Sequence, residues 1–131
     1  MIKFFTKYKI IFFLSNFILM LEYLFPGSLL GCIIFNNCKI QPQITANFLI
    51  STNHLYSFLI LSFIGFCTYR NSKYSNVLTK YLLTLSIILE VMHYFIPNRS
   101  FEYHDLFGNL AGVIIIIILF NLFKKYEEIK H

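Results

Sequence analysis

Four apolar stretches, each close to the length of a bilayer crossing, constrain this chain more than any other feature. A helix needs about 20 mostly apolar residues to cross the hydrocarbon core. The stretches lie at about 9–25, 52–69, 77–96 and 105–123, and the last contains the unbroken run Val113 to Leu119. None alternates as a half-buried strand would, and a membrane barrel needs at least about eight strands. Pro97 closes the third stretch. Residues 29–35 are open to two readings, an extension of the first helix past a kink at Pro26 or an interfacial segment.

Composition agrees. Charged residues make up 13% of the 131 and mean hydropathy is +0.66, against about 25% charged residues in soluble domains. The 16 Phe and 9 Tyr exclude a disordered chain. The expected fold is all-α, a single four-helix integral membrane domain over 1–131. Lys3, Lys7 and Lys9 ahead of an apolar segment imitate a signal peptide, but no small-x-small cleavage site follows, so the first helix is expected to be retained.

Lys and Arg set the orientation. Lys3, Lys7 and Lys9 precede the first helix. Arg70, Lys73 and Lys80 surround the second connection, and Lys124, Lys125 and Lys130 follow the fourth helix. Only Lys39 and Arg99 fall on the other side. Both termini are therefore expected in the cytoplasm, in the inner membrane of a bacterium. The net charge of +5 follows from this topology, and no nucleic-acid motif is present.

The acidic residues and histidines gather at the opposite, outer end: Glu22, His54, Glu90, His93, Glu102, His104 and Asp105, with Arg99 and Asn109 among them. At 100° per residue, Ser15 and Glu22 share a face of the first helix. His54, Ser57, Gly65 and Thr68 share one on the second. Thr79, Ser86, Glu90 and His93 do so on the third, and Asp105, Gly108, Asn109 and Gly112 on the fourth. A carboxylate facing lipid costs at least about 2.5–3.5 kcal/mol, so these stripes should face one another. One connected cluster of Glu90, Arg99, Asp105 and Asn109, with His93 and His54 beside it, is expected. Asp105 and Asn109, one turn apart, can share a partner on a neighbouring helix.

Four further features have competing readings. Gly108 and Gly112 form a G-x-x-x-G pair, which suits close packing inside the domain or pairing of two copies as a homodimer. Glu90 and His93 form an E-x-x-H pair, which holds metals only with a second such pair and further ligands; no metal and no cofactor is expected. Arg99 either binds a phosphate or carboxylate from a ligand or makes an internal salt bridge to Glu90, Glu102 or Asp105. Cys32, Cys38 and Cys67 give no disulfide framework and are read as small packing residues, with a Cys32–Cys38 bridge as the alternative.

The segment from Glu90 to Gly112 resembles the VanZ-like family of small bacterial membrane proteins. That pattern has an acidic residue, Gln three later, Pro-x-Arg, a spaced Asp, Asn four later and Gly three after that. Glu90, Pro97, Arg99, Asp105, Asn109 and Gly112 stand at the matching positions, with His93 in place of the Gln. His54 matches the His of an Asp-Lys-x-x-His element, where Ile50 and Ser51 replace the Asp and Lys. The family's named member is linked to low-level resistance to the glycopeptide antibiotic teicoplanin. The resemblance implies a multi-pass membrane fold and a shared polar site.

Three functions follow. The first is a non-catalytic membrane protein whose outer polar pocket binds an anionic or polar envelope component, such as a lipid head group or a peptidoglycan precursor. The second is a membrane enzyme on a lipid-linked substrate, with Glu90 or His93 as general base and Arg99 holding a phosphate. The third is a structural subunit of an envelope assembly. No serine nucleophile motif or nucleotide loop is present, which favours binding or structure over catalysis.

Overall fold

A computed structural model describes residues 2–69 and 72–130, with side chains described from residue 9 onward. Lys3, Lys7, Arg70 and His131, which entered the charge and terminus readings, lie outside the described residues or side chains. The described chain is all-helical: α1 (Ile2–Leu24), α2 (Leu29–Phe35), α3 (Thr52–Tyr69), α4 (Ser75–Met92) and α5 (Tyr103–Lys130).

α1 stops where Pro26 and Gly27 follow it; Gly27 takes φ +109°, a conformation that glycine adopts without a Cβ penalty. The chain then bends by 87° between Lys9–Leu24 and Leu29–Phe35. Residues 29–35 are thus a separate short helix. Ser28 caps it, its Oγ accepting from the Gly31 N–H at 3.0 Å, and Asn36 ends it in the left-handed region. Cys32 and Cys38 are disulfide-bonded across this turn, which corrects the packing reading for those two residues. Cys67 lies on the exposed face of α3. The strand-free connection from 36 to 51 is tied to α3, with Asn53 Nδ2 donating to the Pro42 carbonyl at 2.6 Å and Asn47 Oδ1 accepting from the Thr52 N–H at 3.1 Å.

α3 is central and packs against α1, α4 and, most extensively, α5. Phe58, Leu61, Leu82, Leu89, Val113 and Ile116 fill the shared core. Most other apolar side chains point outward, among them Phe13, Phe17, Ile60, Phe63, Ile118 and Leu119. So large an apolar exterior marks a surface that something other than water covers. α4 and α5 are each long and apolar enough to cross a membrane, and the bent pair α1–α2 is a third if it counts as one span. α3 falls short of that measure, because Thr52, Asn53 and His54 form its first turn and Ser57, Ser62 and Thr68 follow.

The bounds of α4 and α5 move. α4 ends at Met92 rather than near 96, because the N–H groups of His93, Tyr94 and Phe95 bond three residues back, tightening the last turn ahead of Pro97. α5 begins two residues early and continues past Phe123 as an exposed polar helix to Lys130. Its tail, Lys124 to Lys130, is rich in Lys and Glu, both good helix formers.

Candidate functional site

The polar stripes of α3, α4 and α5 turn inward, while Ser15 and Glu22 on α1 are only half-buried, and the polar residues meet where α1 and α4 end and α3 and α5 begin. Glu90 and Asn109 are fully buried, and His93 and His54 nearly so. Glu90 lies on the last turn of α4 and His93 in the tight turn that follows. Glu90 Oε1 is 3.2 Å from His93 Nδ1 and accepts from the Glu102 backbone N–H at 3.1 Å.

The other nitrogen of His93 settles its tautomer. His93 Nε2 is 3.1 Å from the Tyr23 carbonyl oxygen. A carbonyl only accepts, so Nε2 carries a hydrogen. The Glu90–His93 bond then contains one further proton. It is either an imidazolium with a carboxylate, or a neutral imidazole accepting from a carboxylic acid.

Tyr23 is the residue that sequence reasoning missed. It is buried at the centre of the cluster, stacked on His93 at 5.7 Å between centroids and edge-on to His54 at 5.2 Å. Its hydroxyl donates to Asn109 Oδ1 at 2.5 Å, and Asn109 Nδ2 donates to the Ser86 carbonyl at 3.2 Å. The available signal was phase: Tyr23 shares the α1 face of Phe12 and Leu19, both buried, rather than that of Ser15 and Glu22.

His54 opens the other half. Its Nδ1 is 2.7 Å from Ser51 Oγ and 3.4 Å from Asp105 Oδ1, and its Nε2 is 4.0 Å from Glu90 Oε2. Asp105 and Asn109 could have shared a partner, and among the described residues they do not. Asp105 reaches His54 on α3, while Asn109 reaches Tyr23 on α1 and Ser86 on α4.

Arg99 departs most from expectation. Among the described residues it pairs with neither Glu90 nor Asp105 within ion-pair distance. Instead Nε donates to the Phe25 carbonyl at 3.3 Å and an Nη donates to the Glu22 carbonyl at 2.8 Å. These are acceptors at the C-terminal end of α1, where a cation is favoured and the last carbonyls lack helical partners. Asn98, in the left-handed region at φ 62°, swings the chain so that Arg99 reaches across. Burial lowers the guanidinium pKa from its ordinary value, and the nearby Glu22, Tyr23, Glu90 and Asp105 pull it back up. An arginine so placed stays charged.

Two cavities flank Arg99. One, of about 370 Å³, is lined by Arg99, Lys39, Gln41, His93, Glu102 and Asp105, among others. The other, of about 270 Å³, is bounded by Glu22, Tyr23, His54 and the loop at Gln41 and Pro42, again with Arg99 on its wall. Gly108 and Gly112 do not face out. They press on the backbone of α3, so the G-x-x-x-G face is consumed inside the chain.

No family model matches the chain, and neither a curated protein nor a solved structure is found to be similar to it. The VanZ-like resemblance rests on the residues of the segment from Glu90 to Gly112.

Proposed function

We propose that this chain is a VanZ-like, four-span membrane protein, with both termini in the cytoplasm of a bacterium, whose outer-end pocket binds an anionic component of the cell envelope. A lipid head group and a peptidoglycan precursor both carry the required phosphate. One observation carries the reading: Arg99 and Lys39, the only cations that the charge pattern assigns to that side, line the same cavity. Arg99 gives two donors to α1 and keeps the rest of its guanidinium fork for a ligand, and the α1 contacts fix its plane in advance. The exposed apolar exterior supplies the lipid-facing surface. α3, which does not reach the span measure that α4 and α5 meet, is accommodated as the second span because His54, Ser62 and Thr68 are buried against its neighbours.

Of the two candidate general bases, His93 is disfavoured because both of its ring nitrogens are engaged, one by Glu90 and the other by the Tyr23 carbonyl. A general base needs a free lone pair within reach of its substrate. A link to teicoplanin resistance would follow if the bound component were a peptidoglycan precursor. The test is mass spectrometry of the lipids that co-purify with the protein. A phosphate-bearing species enriched on the parent and lost from both Arg99→Ala and Lys39→Ala supports the reading. Identical lipid profiles on all three proteins would overturn it.

A further inference from the structure

Glu90 Oε2 has no hydrogen-bond partner among the described residues although its residue is fully buried. An unpartnered buried polar atom costs about 1–3 kcal/mol, and more when it is charged. His54 Nε2 lies 4.0 Å from this oxygen. Asp105 closes the group: one donor atom from each of His54, Glu90 and Asp105 lies within 4.8 Å of the others. The E-x-x-H spacing directs attention to Glu90 with His93, but His93 is spent on the Tyr23 carbonyl. The third donor comes instead from the start of α5, a different element.

We propose that His54, Glu90 and Asp105 form a binding site for a divalent cation of the zinc type. Donors on a tetrahedral zinc ion at about 2.0–2.2 Å stand about 3.3–3.6 Å apart. The observed spacing of up to 4.8 Å needs a closure of up to about 1.5 Å, within the range of carboxylate side-chain rotation. One imidazole with two carboxylates is a borderline donor set, which suits zinc over magnesium or calcium, whose sites are built from oxygen alone. Three protein ligands leave a position for water or an incoming group. Ser51 Oγ, 2.7 Å from His54 Nδ1, supplies the partner that orients a metal-ligating imidazole and leaves Nε2 turned toward Glu90. Glu90 Oε1 is held by the Glu102 N–H and by His93, so Oε2 is the oxygen left to coordinate. The cation has a way in, since Asp105 opens on one of the two cavities and His54 on the other. This site does not depend on the anion-binding reading.

The test uses the untagged full chain in detergent, stripped with a chelator and titrated with zinc against a competing metal dye, with bound metal counted by elemental mass spectrometry. One zinc per chain is expected. Asp105→Asn and Glu90→Gln should each weaken binding by at least about tenfold, the lower bound for disturbing a metal's coordination. Glu128→Gln, far along the exposed end of α5, should bind as the parent does. Should Glu90→Gln not fold, Asp105→Asn carries the comparison, and the visible spectrum of the cobalt-loaded parent reports on nitrogen and oxygen ligation. Retention of no zinc by the parent, equal retention by parent and Asp105→Asn, or tighter binding of magnesium than of zinc would each overturn the site. None of these readouts involves co-purified lipid, so failure here and failure of the anion-binding reading are separable.

Discussion

Replacing Gly112 by alanine should destabilise the protein far more than the same change at Gly65. A Cβ on Gly112 would sit 2.6 Å from the Leu55 carbonyl oxygen, 2.8 Å from the Leu59 nitrogen and 3.0 Å from Phe58 Cβ. Two of these atoms are backbone and the third is fixed to it, so none can swing away. Ordinary contact begins near 3.4 Å, so α5 would have to retreat from α3 by several tenths of an ångström. That retreat loosens the packing of Phe58, Leu61, Val113 and Ile116 along the most extensive helix contact in the chain. Overpacking of this kind costs about 1–3 kcal/mol. Alanine recovers up to about 1 kcal/mol of helix propensity, which leaves a net loss of about 2 kcal/mol where the backbone cannot yield. At Gly65 the new methyl meets only the Phe12 ring, at 2.9 Å, and Leu78 Cδ1, at 3.2 Å. Both are side-chain ends that can rotate, so the propensity gain should nearly cancel the cost. Thermal unfolding in one detergent, followed by circular dichroism, should place Gly112→Ala roughly 5–10 °C below Gly65→Ala. Equal melting temperatures, or a lower one for Gly65→Ala, would show that the close face of α5 is misassigned.

Two further outcomes can be checked on the same purified protein. Tyr23→Phe removes the donor to Asn109 Oδ1 and leaves that buried oxygen unpaired, which should cost about 1–3 kcal/mol in detergent unfolding; a melting curve identical to the parent's would contradict the central place given to Tyr23. Arg99→Lys cannot span both the Glu22 and Phe25 carbonyls with a planar fork, so hydrogen exchange at the end of α1 should quicken while the α3–α5 contact stays protected; unchanged exchange there would rule out the capping role.

Periodicity made the inward faces legible. Glu90, Ser86, His54, Asn109, Gly108 and Gly112 were all assigned inward by their phases, and all are buried, because a long apolar helix hides only its few polar positions. The bend after α1 was hidden in Pro26-Gly27, a pair compatible with either a kink or a full break. Arg99 misled because charge complementarity suggests carboxylates, whereas geometry offered carbonyls at a helix end. Tyr23 was overlooked because an aromatic ring counts as apolar, although its hydroxyl closes the link between α1 and α5. The grouping of Asp105 with His54 and Glu90 joins three elements that no local spacing relates.

The functional account depends on the polar end of the molecule opening to the outside of the cell across four spans. Single cysteines at Gln43, in the loop beside the cavities, and at Glu128, on the exposed tail of α5, test this in a Cys67→Ser background. Intact cells would be treated with a membrane-impermeant maleimide before and after permeabilisation. The account predicts labelling at position 43 in intact cells and at position 128 only after permeabilisation. Labelling at 128 but not at 43 in intact cells would invert the molecule, and labelling at both would show an even number of spans between them.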